Sequence, residues 1–231
     1  MATEILYSEL KTWLDAQPEN TASTPYEIII KDAQDGGGRI YTDKITRFVN
    51  IVGMEMRANV TKIGQEAFLN CKNLIAITIP HGITSIDIRA FQGCSNLISV
   101  ALPGTLTSIG SSAFAGCNGL MSINIPYGVT SIGFSAFRNN YSLKAIDFPV
   151  TLTSIGDYAF GSCTSLSIIY VYALFSETLM QSNSLFNTPS NLRLLVYPAY
   201  LSIWQSVTLT KYGFASGAKV ESLYTKWVRV A

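Results

Sequence analysis

A repeat solenoid is the fold that this sequence predicts, on three observations. A 23-residue step carries Ile63 to Ile86, Ile109, Ile132 and Ile155, and Phe68 to Phe91, Phe114, Phe137 and Phe160. The same step carries Leu74 to Leu97, Leu120, Leu143 and Leu166, and Pro80 to Pro103, Pro126 and Pro149. Between the Leu and the Pro, Leu74-x-x-Ile77-x-Ile79 and its equivalents place apolar residues at alternate positions. A repeat this short cannot bury its apolar face alone, so successive copies must stack to share one core.

Each repeated letter has a physical role. Ile77 and Ile79 point inward from a short strand, because side chains alternate across a strand. Stacked coils set such strands side by side at about 4.8 Å, forming a parallel sheet. Pro80 closes the strand where its missing N–H does least harm. Ile83 and Ile86 supply the opposite wall. Gly64, Gly110, Gly133 and Gly156 follow that wall, where positive φ is expected, with Asp87 as a tolerated substitute. Ala67 and Phe68 begin a short helical turn whose Phe fills the interior, each such burial contributing roughly 1.5–3 kcal/mol. The period and its Leu-x-x-Ile-x-Ile core mark an α/β repeat solenoid of the leucine-rich-repeat type. It is predicted as a right-handed superhelix of about six 23-residue coils with a parallel concave sheet, capped at both ends.

Three domains are expected: an N-terminal cap over 1–44, the solenoid over 45–198 and a C-terminal cap over 199–231. Residues Glu4 to Ala16 carry Ile5, Leu6, Leu10, Trp13 and Leu14 at helical spacing behind Thr3 as N-cap, which predicts an amphipathic helix covering the first coil. Pro18 to Pro25 is a polar connector. Tyr26 to Lys31 predicts a strand, and the Gly36-Gly37-Gly38 run a hairpin turn into Arg39-Ile40-Tyr41. Ile51, Met54, Met56 and Val60 are a worn opening copy of the repeat. A three-residue insertion within Ala173–Ser184 is expected to restore the register, placing Phe186, Leu192, Leu195 and Tyr197 before Pro198. Pro198 to Val207 predicts a short helix with Leu201, Ile203 and Trp204. The tail carries Val220, Leu223, Tyr224, Trp227 and Val228 and is expected to fold back over the last coil.

Composition narrows the function. Charged residues make up only 13% and apolar ones 48%, about half the usual charged share. No run approaches the roughly 18–20 apolar residues of a spanning helix, so no membrane insertion is expected. A net charge of +1 without a basic cluster argues against nucleic acid. Cys71, Cys94, Cys117 and Cys163 share one repeat position, with Asn140 interposed, and read as buried free thiols. Asn140 is expected to hydrogen-bond backbone in its turn. No Cys-x-x-Cys or His partner suggests a metal. His81, the single histidine, stands on a coil corner with no Ser or Cys placed beside it as a nucleophile. No catalytic residue, metal or cofactor is therefore assigned, and a small-molecule ligand is not expected. The start, Met1-Ala2-Thr3-Glu4-Ile5, lacks a basic n-region and an apolar h-region. Either the chain is cytoplasmic or an export signal has been removed.

The Ile-Gly-x-x-Ala-Phe-x-x-Cys-x-x-Leu string and the Ile-Pro-x-x-Ile-Thr-Ser-Ile link resemble the BspA-like, or treponemal-type, leucine-rich repeats. The likeness is strong over Ile63 to Val171 and weaker from Ile45 and out to Trp204. It implies a surface or secreted bacterial protein that binds host or matrix proteins or other cells. An intracellular scaffold using the same surface is the alternative. The family has no fixed binding motif, so no site residue transfers.

Candidate partner-binding residues come from the late coils. The outward strand positions stay small and neutral through Ala76, Thr78, Ser99, Ala101, Ser122 and Asn124, and then reach Asp147 and Tyr170. At the corners, Tyr127, Phe134, Tyr141 and Tyr158 stand where earlier coils hold small or polar residues. Exposed aromatics are enriched in binding hot spots. Tyr127, Phe134, Tyr141, Tyr158 and Tyr170 are therefore the candidates for contacting a protein partner, with Tyr170 and Tyr172 alternatively packed under the C-terminal cap.

Overall fold

Apolar alternation in each Leu-x-x-Ile-x-Ile segment builds the first wall of the solenoid. The computed structural model describes residues 2–6, 26–32, 39–40, 51–56, 61–72, 74–172, 179, 183–206 and 209–223, with side chains from residue 61 onward. The first wall holds β1 (Ala2–Leu6), β2 (Tyr26–Asp32), β4 (Ile51–Met56), β6 (Ala76–Thr78) and β8 (Ser99–Ala101). It continues as β10 (Ser122–Ile123), β12 (Ala145–Phe148), β14 (Ile168–Val171), β15 (Arg193–Val196) and β16 (Lys219–Ser222). Every pairing is parallel, in two five-stranded ladders that divide between β8 and β10. Val100 and Leu102, inward positions at that division, are only partly buried.

The second wall is six parallel strands: β3 (Arg39–Ile40), β5 (Lys62–Ile63), β7 (Ser85–Ile86), β9 (Ser108–Ile109), β11 (Ser131–Ile132) and β13 (Ser154–Ile155). A threonine leads into each of the later strands and ties it to the coil before. Thr107 donates to the Thr84 carbonyl through both its backbone N (2.8 Å) and its Oγ1 (2.9 Å). Thr130 repeats this toward Thr107, and Thr153 toward Thr130. Between the walls lies a continuous stack of phenylalanines. Phe68, Phe91, Phe114, Phe137 and Phe160 are fully buried, with neighbouring centroids 4.8, 5.1, 5.4 and 5.3 Å apart and planes within 6° of parallel.

The N-terminal expectations are corrected. Residues Ala2–Leu6 form a strand, not the first turn of a helix, and pair in parallel with β2. The Ile-rich strand after Pro25 offers an unpaired edge, and ladder hydrogen bonds to that edge outweigh helical spacing of a few apolar residues. The remainder of the expected helix, the Pro18–Pro25 connector, the glycine run and Val60 lie outside the described residues. The strand over Tyr26–Asp32 agrees with the sequence, but the hairpin does not. β2 pairs with β4 while β3 joins the other wall, with Ile40 beside Ile63 one 23-residue step on. The two segments are therefore the opposite sides of a coil.

Two further corrections concern backbone. None of Gly64, Gly110, Gly133, Gly156 or Asp87 has positive φ. The left-handed residues are instead Glu66, Arg89, Ser112, Ser135 and Tyr158, and a second series of Asn70, Gly93, Gly116, Asn139, Ser162 and Asn187. In the late insertion, Phe160 N donates to the Ser184 carbonyl as Phe137 N does to Ala159. Leu185 therefore takes the Phe position, after two added residues, and Phe186 points outward. Leu194 and Val196, not Leu195 and Tyr197, align with Ile169 and Val171. Two adjacent apolar residues left the register open in the sequence, and the inter-coil hydrogen bonds close it. The short helix is present as α1 (Leu201–Ser206) after a 3-10 turn at Pro198–Tyr200, with Trp204 buried. Leu223 is half-buried, while Tyr224, Trp227 and Val228 lie outside the described residues.

All four cysteines are buried, and none is in a disulfide. The thiols of Cys94, Cys117 and Cys163 donate to the carbonyls of Phe68, Phe91 and Phe137 at 3.1–3.2 Å. Burial pushes the Cys163 thiol up to about 12 and the Cys117 thiol higher still. Asn140, in the same ladder, is fully buried, yet neither its Oδ1 nor its Nδ2 meets a partner, contrary to the expected backbone bond. An orphaned buried amide costs about 1–3 kcal/mol. Asn140→Cys, which restores the ladder, is therefore expected to raise the unfolding free energy by about 1–2 kcal/mol. An unchanged or lowered urea midpoint would refute this.

Candidate functional site

The late coils carry aromatic residues on two separate surfaces, and four of the five sequence candidates divide between them. The first surface lies on the turns after the second wall. Phe134 follows β11, and Tyr158 follows β13 at the left-handed turn position where earlier coils hold Glu66, Arg89, Ser112 and Ser135. Phe186 comes from the next coil. Phe134 and Tyr158 meet edge to face at 6.0 Å and 75°, and Tyr158 meets Phe186 the same way at 5.7 Å and 72°. The guanidinium of Arg138 sits 5.5 Å over the Tyr158 ring. Phe134 and Phe186 are 51% and 50% exposed, so the ladder is a surface feature, not core. Edge-to-face pairs are worth about 0.5–1.5 kcal/mol beyond burial, enough to hold the rings in a fixed row.

The second surface is a cleft of about 350 Å³ at the corner where the first wall ends. Tyr127, Asp147 and Tyr172 line it, with Asn124 beside them, buried Ile125 and Pro149 behind, and exposed Val150 as apolar surface. Tyr127 is 71% exposed. Asp147 and Tyr170 are parallel partners on β12 and β14, so Tyr170, half-buried, stands next to the carboxylate on the strand wall. Burial raises the Asp147 carboxyl above its ordinary range. Burial, with the Asp147 and Tyr170 charges, raises the Tyr172 hydroxyl. Tyr141 is 47% exposed and has no ring partner among the described residues.

Sequence reasoning missed Phe186, because the insertion register placed it inside, and passed over Asp147. A carboxylate at a strand position occupied by Thr78, Ala101 and Asn124 in earlier coils was the available signal. Arg89–Glu66 at 3.1 Å and Lys62–Asp87 at 4.0 Å are surface ion pairs between adjacent coils, each worth little in water. His81 is exposed. Among the described residues no group of three or more His, Cys, Asp or Glu could hold a metal, and no helix is long and apolar enough to cross a membrane.

Parallel strand walls on a 23-residue step around stacked phenylalanines define a leucine-rich-repeat solenoid. The chain belongs to the BspA-type leucine-rich-repeat family: the BspA type leucine rich repeat region, in 6 copies, matches residues 43–167 and 86–209. No curated protein matches it. It is 33% identical to a leucine-rich repeat protein from Bacteroides ovatus, over 64% of this chain and 40% of that one, with a TM-score of 0.48. The pneumococcal vaccine antigen PcpA is 19% identical, over 71% of this chain and 39% of that one, with a TM-score of 0.60. A leucine-rich repeat protein from Eubacterium ventriosum is 20% identical, over 84% and 55%, at 0.51. The chain thus spans less than two thirds of each of these proteins, and the last two likenesses show the fold alone.

Proposed function

We propose that this chain is a non-catalytic protein-binding module that engages a partner through the aromatic row Phe134–Tyr158–Phe186. The carrying observation is that row itself: three consecutive coils present rings in edge-to-face contact, two of them half-exposed. Rigid aromatics lose little conformational entropy on binding and dominate interface energetics. Adhesion to host or matrix proteins, or to other cells, from a bacterial surface or in secreted form is the role this reading favours. An intracellular scaffold would use the same row without export.

The test compares the parent with Phe134→Ser/Phe186→Ser on a panel of purified matrix proteins, host cells and bacterial lysate. Capture from the matrix or cell panel is expected, at least about tenfold weaker in the double variant. Capture from lysate alone, weakened in the same way, would assign the row to the scaffold role. Equal capture by both proteins would remove the row from the interface.

A further inference from the structure

We propose that the cleft between Tyr127, Asp147 and Tyr172 is a subsite for a lysine or arginine side chain presented by a protein partner. The argument starts from an uncompensated charge. Asp147 makes no hydrogen bond or ion pair among the described residues, although it is half-buried in the strand wall. The arginine of this wall is already matched. Arg193, two strands on, donates through Nε at 3.0 Å and through a second nitrogen to the Glu221 carboxylate. A half-buried carboxylate with no partner is costly to the free protein, and its burial raises its proton affinity. Proteins keep such groups where a ligand supplies the missing counter-charge.

The surroundings choose the ligand. Tyr127 and Tyr172 are exposed phenol rings at the rim, and a cation is attracted to the face of such rings. Val150, 46% exposed, offers apolar surface for a methylene stem, and lysine and arginine are the side chains that join a stem to a cation. At about 350 Å³ the cleft lies at the small end of ligand sites (roughly 300–1,000 Å³). It suits one side chain better than a folded motif. One carboxylate with a neighbouring Asn124 is too poor a donor set for a calcium ion, which takes about 6–8 oxygens. An anionic ligand would face Asp147 directly. The inference takes from the protein-binding reading only the source of the cation, and it shares no residue with the aromatic row.

The test titrates the full isotope-labelled chain, followed by amide NMR, with Nα-acetyl-lysine methylamide, the arginine analogue and the uncharged norleucine analogue. The cationic compounds are expected to shift the signals of Asn124, Asp147 and Tyr172 at millimolar concentration. The norleucine compound should bind at least about tenfold more weakly. Asp147→Asn is expected to abolish the difference between charged and uncharged probes. It also removes a desolvated charge, so it should fold at least as stably as the parent, and its thermal melt checks that point. Phe134→Ser/Phe186→Ser should leave the titration unchanged, which keeps the cleft and the row separately testable. Equal shifts from norleucine, undiminished lysine binding by Asp147→Asn, or no shift at the solubility limit would each overturn the proposal.

Discussion

Phe114→Ala is expected to lower the unfolding free energy by about 4 kcal/mol, in the middle of the range for buried aromatic truncations. Phe114 is fully buried and stacked on Phe91 at 5.1 Å and on Phe137 at 5.4 Å. Its removal therefore deletes two ring contacts as well as the transfer free energy. The cavity has little means of closing. Coil spacing here is set by backbone bonds on both sides, Phe91 N to Ala113 O at 2.7 Å and Phe114 N to Ala136 O at 2.8 Å. These bonds hold the flanking rings apart. Because each coil contacts only its neighbours, a break at the middle coil uncouples the two halves of the stack. Urea unfolding should show a lower midpoint and a broadened transition, with amide exchange accelerated on both sides of Phe114. A loss below about 1 kcal/mol would mean that the stack relaxes across the gap.

What was legible in the sequence was whatever repeats in register. Ile63, Phe68, Cys71, Leu74 and Ile77 recur because every coil imposes the same environment, and the positions the step reaches are buried except at Val100, where the first wall divides. The N-terminal coils were not legible for the opposite reason. Glu27 pairs with Gly53 and Ala2 with Glu27 at spacings that depart from the core step, and the Ile28–Ile30 run fits a strand without fixing its partner. Arg39-Ile40 lies a full step before Lys62-Ile63, a signal that the neighbouring glycine run obscured by suggesting a hairpin. On the candidate surfaces, single exposed aromatics could be named, but their grouping could not. Phe134, Tyr158 and Phe186 occupy three different positions of three coils, and only the turn geometry brings their rings together.

Gly156→Ala is expected to cost about 3 kcal/mol, and Gly116→Ala only about 1 kcal/mol, though Gly116 alone of the two has positive φ. The glycines after the second wall are small for lack of space. Gly156 N donates to Ile132 O at 2.8 Å, which draws its Cα against the coil before. A Cβ there would lie 2.6 Å from Phe134 N and 2.8 Å from Gly133 C, both backbone atoms unable to swing aside. At Gly116, with φ +72°, the nearest atom to an added Cβ is 3.8 Å away. Its cost is the left-handed backbone alone, and Asn70 and Asn139 meet that cost at the same position of other coils. Gly116→Asn should accordingly be close to neutral. Asp87 shows that one coil accommodates a side chain at the wall position. The closest approach tightens from 2.8 Å at Gly110 to 2.7 Å at Gly133 and 2.6 Å at Gly156, so the penalty for alanine should rise in that order. Since the clash at Gly156 falls on the backbone of Phe134, the same substitution should also disturb the aromatic row and weaken partner capture. Equal costs at Gly116 and Gly156 in urea unfolding would show that the coils separate readily and that close approach does not hold the wall together.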